Sequence, residues 1–136
     1  MSDIWSKQKR SEVMSLIRSR GNKATELRLI EIFREYGITG WRRNQKLTGK
    51  PDFTFRRERV VVFVDGCFWH GCPKCYKRPK SNRKFWDEKI AANRKRDRLV
   101  NSELRGLGWK VVRAWQHQLA KAGSVAGRVR RALESE

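Results

Sequence analysis

Apolar residues recur at helical spacing near the start of the chain and again over a long stretch past its middle, and between these they crowd into short β-branched runs. The pattern predicts two helices, a group of strands, a long helix, one more strand and a closing helix. In "SKQKRSEVMSLIRSRG", Ser6 is placed to cap a helix whose apolar residues Val13, Leu16 and Ile17 share a face before Gly21 ends it. A second helix over "ATELRLIEIFREYG" carries the stripe Leu29, Ile30, Phe33 and Tyr36. One turn back on that stripe stands Glu26, an acid where an apolar residue is due. Either it points inward for a purpose, or it occupies the first turn, where a carboxylate favours the helix N-terminus.

The next segment, "WRRNQKLTGKPDFTFRRERVVVFVDG", is rich in β-branched and aromatic residues and broken by Gly49, Lys50 and Pro51. It predicts strands from Trp41 to Gln45, Asp52 to Phe55 and Arg59 to Val64, the last two joined by a tight charged turn. A hairpin symmetric about residues 57 and 58 sets Asp52 across from Phe63. Asp65, two residues beyond Phe63, then projects from the same face as Asp52, a diagonal step away. Two carboxylates converging at the open end of a hairpin suit Mg²⁺, which takes one or two carboxylates and completes its shell with water and phosphate oxygens. Paired acids at strand ends are often simply solvated.

From Phe85 to Leu107, inward positions follow at steps of four and three: Trp86, Ile90, Asn93, Asp97, Val100, Leu104 and Leu107. One long helix is expected, with Asn93 and Asp97 interrupting its apolar face. A carboxylate turned toward the protein body needs a donor or a cation. Asp97 therefore pairs with an arginine or orients a catalytic imidazole. "GWKVVRAW" reads as a buried strand, followed by a loop and a C-terminal helix over residues 120–136 whose tail is expected to fray.

Composition turns this outline toward a partner. The 136 residues fit one domain, and 33 Lys and Arg against 14 Asp and Glu give a formal charge of +19 spread along the chain. Such a surface attracts polyanions, and with six Trp and six Phe able to stack on or wedge between bases, nucleic acid is favoured. An acidic membrane fits less well, because no segment concentrates basic charge on an amphipathic helix. The longest apolar run, Val60 to Val64, is far too short to span a bilayer, and "MSDIWSKQKRSE" lacks a signal-peptide core. A cytoplasmic protein is expected, nucleoid-associated when bound to DNA.

Three cysteines within nine residues, Cys67, Cys72 and Cys75, have the spacing C-x4-C-x2-C, which suits a metal better than a disulfide framework. His117 is the natural fourth ligand, because the other histidine, His70, lies within the short loop between Cys67 and Cys72. A closed Cys3His set would hold a structural Zn²⁺. That leaves His70, five residues past Asp65, free to act as general acid or base near neutral pH. A lone histidine is also commonly structural.

The segments "RSEVMSLIRSRGNKATELRL", "TGKPDF", "VVFVDGCFWHGCP", "FWDEKIAANRKRDR" and "GWKVVRAWQH" together resemble the very-short-patch mismatch repair (Vsr) endonucleases, in the same order from about Arg10 to His117. The resemblance implies an α/β fold with a restriction-endonuclease-like central mixed sheet, flanked by helices and carrying one structural zinc site. It implies a single nuclease domain over 1–136, with residues 1–21 as a DNA-contacting helix. The implied reaction is Mg²⁺-dependent nicking of one strand of double-stranded DNA beside the thymine of a T:G mismatch, the product of 5-methylcytosine deamination. By position, Asp52 resembles the main Mg²⁺ ligand and His70 the catalytic imidazole, with Glu26 and Asp97 in support. Family members carry histidine or aspartate where Asp65 stands. Phe68, Trp69 and Trp86 match aromatics that wedge into the duplex, although Trp86 also begins the inward stripe and suits the core. Lys89 and Asn93 are expected at the DNA, on a stretch from Lys77 to Arg98 with ten basic residues against three acids. Cys67, Cys72, Cys75 and His117 match the zinc ligands. The lysine usual after the second acid of related nucleases is missing, since Gly66 and Cys67 stand there, which supports His70 in its place.

A monomer is expected, with mismatch-repair factors as candidate partners and no membrane association. Two alternatives remain: a non-catalytic zinc-stabilised DNA-binding module whose acids are structural, and a nuclease of the same fold with another DNA target.

Overall fold

A computed structural model describes residues 24–135. The expected helix over residues 1–21 lies outside them. Helix α1 covers residues 24–35, and its end follows from one residue. Gly37 takes a left-handed φ of 66°, and the Ile38 N–H then reaches back to the Phe33 carbonyl at 2.8 Å while the Gly37 N–H reaches Arg34. This turn drops Ile38 into the core, 5% exposed.

Four strands follow the order β1-β2-β3-β4: β1 (Trp41–Arg42), β2 (Phe53–Phe55), β3 (Val60–Asp65) and β4 (Lys110–Trp115). The first two pairings are antiparallel and β3 with β4 is parallel, so the sheet is mixed. A parallel neighbour needs a crossover, and helix α2 (Arg83–Gly106) lies within it. After β4 come a short 3-10 turn (Gln116–Ala120) and helix α3 (Ala122–Glu134).

Alternation along the strands sorts residues between two layers. Val60 and Val62 join Phe53, Phe55, Val112 and Ala114 in the larger core, closed by Leu29, Ile32 and Phe33 of α1 and Val125 and Val129 of α3. Val61 and Phe63 face the other way, against Leu104 and Val100 of α2. Asp65 and Arg113 fall on this α2 face, because Phe63 pairs with Arg113 and Asp65 lies two residues on. The hairpin register matches the expected symmetry: Phe53 pairs with Val62 and Phe55 with Val60, which carries Asp52 to a place beside Phe63.

Several boundaries differ from the sequence pattern for local reasons. Strand β1 stops at Arg42 rather than Gln45, because Asn44 takes a φ of 56° that no strand accommodates. Ile32 is fully buried in addition to the expected stripe, since α1 must cover a sheet surface broader than a single row of side chains. Leu107 is 58% exposed, because α2 ends at Gly106 and Gly108, with φ 92°, turns the chain away. Strand β4 is only half-buried; among the described strands it lies at the sheet edge, with Val112 and Ala114 inside and Arg113 between them.

Phe33 meets Phe53, Phe55 and Trp41 at ring-centroid separations of 5.2, 5.8 and 6.0 Å and is fully buried. Phe33→Ala is expected to cost about 3–5 kcal/mol in urea denaturation, whereas Leu27→Ala, on the exposed side of the same helix, should stay within about 0.5 kcal/mol.

Candidate active site and metal centre

Strand β3 delivers Asp65 to the α2 face at the point where the chain leaves the sheet. Its carboxylate is 7% exposed and accepts a hydrogen bond from Arg113 Nη1 at 2.7 Å. Burial pushes the Asp65 pKa up, while the Arg113 charge pulls against it. Arg113 is itself fixed. Its Nε donates to Asn101 Oδ1 at 2.6 Å, and its guanidinium lies 4.1 Å from the centroid of the Phe63 ring.

The loop that follows folds back on itself and is fastened to α2. Within it, His70 N–H reaches the Gly66 carbonyl at 3.1 Å and Cys72 N–H the Cys67 carbonyl at 2.9 Å. From α2, Asn93 donates to the Trp69 carbonyl at 2.8 Å, and Arg94 donates to the carbonyls of His70 and Gly71. Gly71 has φ 63°, and a Cβ there would lie 2.6 Å from Ile90, so glycine lets the loop seat this closely.

One turn beyond Asn93, Asp97 Oδ2 meets Nδ1 of His70 at 2.5 Å, with Asp65 Oδ1 3.9 Å from the same nitrogen. Burial favours the neutral ring, but the Asp97 hydrogen bond and the two carboxylate charges outweigh it and hold the His70 pKa above the ordinary imidazole value. Asp97 meets both partners weighed for it, the His70 imidazole and an arginine, since it also lies 3.7 Å from Arg113 Nη1. Asp65, His70 and Asp97 place their ligating atoms within 4.8 Å of one another.

Asp52 stands at the neighbouring strand end, and its Oδ2 accepts the Val64 N–H at 2.7 Å. Burial, reinforced by the charges of Glu26 and Asp65, pushes its pKa up to about 6 despite that bond. A carboxylate so placed fits a cation, which would supply the missing counter-charge. Glu26 is ion-paired with Arg43, just past β1, so its inward position is matched by charge. Glu26, Lys46, Lys50 and Asp52 border a cavity of about 210 Å³ in which lysines and acids face a shared space.

The second cluster unites Cys67, Cys72, Cys75 and His117, again within 4.8 Å. Nδ1 of His117 lies 3.4 Å from Cys67 Sγ and 3.6 Å from Cys72 Sγ. With metal–sulfur and metal–nitrogen bonds of about 2.3 and 2.0 Å, the S–N edge of a tetrahedron is about 3.5 Å, so the donor set fits a four-coordinate ion. Cys72 is buried and Cys75 exposed, so the site lies near the surface and ties the loop to the turn after β4.

Phe68 packs edge-on against Trp69 and Trp86, with centroids 5.3 and 5.2 Å apart. Trp86 is 5% exposed, so the core reading describes its position. Phe68 and Trp69 are half-buried above it, and Lys89 is exposed on the next turn. Three residues outside the sequence-based set complete the site: Arg113, Arg43 and Phe85, the last 50% exposed and 5.1 Å from Trp86. Arg113 had a visible signal, a lone charge inside the apolar run "VVRAW". The partner choice of Arg43 had none.

The family model for DNA mismatch endonuclease Vsr matches residues 2–77. The type II nicking enzyme V.XorIIP of Xanthomonas oryzae pv. oryzae is 35% identical over 98% of this chain and 98% of its own length. The DNA mismatch endonuclease Vsr of Escherichia coli is 39% identical over 85% of this chain and 74% of its own. The type II nicking enzyme V.NaeI of Lentzea aerocolonigenes is 46% identical over 51% of this chain and 42% of its own length.

The raised Asp52 pKa has a consequence for stability. Because the folded protein holds this proton more tightly than the unfolded chain, stability in Mg²⁺-free buffer falls as pH rises from 3.8 to about 6. Asp52→Asn, neutral throughout, is expected to be more stable than the parent above pH 6 by up to about 3 kcal/mol, with the difference closing below pH 4. Urea denaturation at pH 4 and pH 7 measures it.

Proposed function

The chain belongs to the Vsr family of DNA endonucleases, and from that premise we propose that it nicks one strand of duplex DNA beside the thymine of a T:G mismatch, with Mg²⁺, on a restriction-endonuclease-like fold. The observation that carries this reading is the imidazole of His70, held by Asp97 at 2.5 Å beside buried Asp65, on the same loop as the Phe68 and Trp69 rings. Chemistry and wedge share one short, fastened segment.

In this reading, with Asp97 accepting the Nδ1 proton, Nε2 of His70 carries the lone pair that takes a proton from the attacking water. Asp52 is the residue that would hold Mg²⁺, with Glu26 in support; the ion supplies charge to the scissile phosphate and lowers the pKa of bound water. Asp65, also expected as a ligand, already accepts from Arg113. Phe68 and Trp69 open the base step, backed by Trp86, and a mismatched step costs less to open than a matched one. Lys89 and its basic neighbours hold phosphates without reading sequence. Asn93 holds the wedge loop through the Trp69 carbonyl, which limits what its amide offers DNA. The Cys3His set is proposed to bind Zn²⁺ as a structural ion. The protein is proposed to act as a monomer in the bacterial cytoplasm, in company with mismatch-repair factors; no described helix is long and apolar enough to cross a membrane.

A strand-labelled nicking assay on duplexes differing only in T:G against C:G tests the assignment. Cutting confined to the thymine strand of the mismatch, absent in Asp52→Ala, is the expected result. Equal cutting of both duplexes would keep a nuclease and remove the mismatch role, and tight duplex binding without any cutting would favour a binding module. Separately, Cys72→Ser should lose bound zinc by metal analysis and lower the unfolding midpoint, because ion binding at such a site is part of the folding free energy.

A further inference from the structure

Asp65, His70 and Asp97 bring two carboxylates and an imidazole within 4.8 Å of one another, a donor set that suits Mn²⁺, Fe²⁺ or Zn²⁺. Yet the space beside them holds a guanidinium. Arg113 Nη1 lies 2.7 Å from Asp65 Oδ1 and 3.7 Å from Asp97 Oδ1. We propose that Arg113 is the resident cation of this cluster, and that it excludes a divalent ion which would otherwise disable His70.

The argument rests on how Arg113 is held and on what a metal there would do. Its side chain is 17% exposed, its Nε is bound by Asn101, and its guanidinium plane lies over Phe63, the residue opposite it in the ladder. Its own carbonyl accepts from Arg128, which fixes the strand beneath it. A side chain fastened at so many points is not free to swing aside for an incoming ion, and its charge repels one.

A guanidinium balances carboxylates while having no lone pair to offer and no need of one. A metal would balance them by binding Nδ1 of His70 as well. Neutral imidazole carries one proton, so metal on Nδ1 sends that proton to Nε2, the nitrogen that must accept from water. Arg113 thus keeps two acids beside the histidine without surrendering its lone pair. It acts as a positioning residue, and it sorts the two acid groups of the site: Asp52 is left for the metal and Asp65 is not. The consequence for His70 and the baseline ion count rest on the function proposed above; the exclusion of the ion by Arg113 does not, and Asp52→Ala reports the baseline independently.

Titration with Mn²⁺, counted by electron paramagnetic resonance on the zinc-loaded full chain, tests the proposal. Arg113→Gln should bind one more Mn²⁺ per chain than the parent, Arg113→Gln with Asp65→Asn should lose that ion again, and Arg113→Lys should keep the parental count. Equal counts for Arg113→Gln and the parent would overturn it. Asp65→Asn with Arg113 intact should leave the count unchanged; loss of an ion there would show that Asp65 already binds metal and would overturn the proposal even if Arg113→Gln did not fold.

Discussion

A carboxylate buried at a strand end must be met by positive charge, and the arrangement of this protein's site follows from how that requirement is fulfilled at Asp65. In a low-dielectric setting an unmatched carboxylate would take up a proton or draw in an ion. Arg113 meets it from the neighbouring strand, and the parallel pairing of β3 with β4 makes this meeting possible by setting Arg113 opposite Phe63 on the α2 face. Asp97 approaches the same guanidinium from the helix, and His70 lies against both acids. Sheet, helix and loop therefore converge on one small group of charges.

The loop from Gly66 to Tyr76 has no helix or strand of its own, so contacts with its neighbours define it. Asn93, Arg94 and Asp97 grip it from α2, and the thiols with His117 grip it from the turn after β4. These attachments serve different ends. The helix contacts set the imidazole and the Trp69 backbone, whereas the Cys3His cluster brings together two segments distant in sequence, so that an ion bound there would add its binding energy to folding. Because the His70 imidazole and the Phe68 and Trp69 rings share one pinned segment, their positions are coupled, and a shift of the loop moves all of them.

The chain's formal charge of +19 also frames the acids. Most of the described Lys and Arg side chains are exposed, where they attract a polyanion in a salt-dependent way. Among the half-buried ones, Arg43 meets Glu26 and Arg113 meets the Asp65–Asp97 pair, while Arg94, itself exposed, donates to loop carbonyls. Among the described residues the Asp52 carboxylate accepts from one backbone donor, and burial holds its pKa near 6. It is thus the acid in the site whose charge the described residues match least well, which suits the ligand role proposed for it.

Local order was legible wherever periodicity is strong or a turn is symmetric. The helix α2 was visible in its stripe, the β2–β3 register in a hairpin centred on residues 57 and 58, and the Cys3His set in spacing plus a shortage of histidines. The resemblance of "TGKPDF" and "DGCFWHGCP" to Vsr motifs implied roles for Asp52 and His70, and such a likeness is carried by short local segments. What the sequence could not determine is which charge neutralises which. Many arginines were open to Asp97, and nothing in "VVRAW" assigns Arg113 a partner. Those partnerships join residues 16 to 48 positions apart, as Arg113 does with Asp97 and Asp65. They exist because the crossover stacks α2 on β3 and β4, and electrostatic matching depends on distance through space, which the chain acquires only when its layers close.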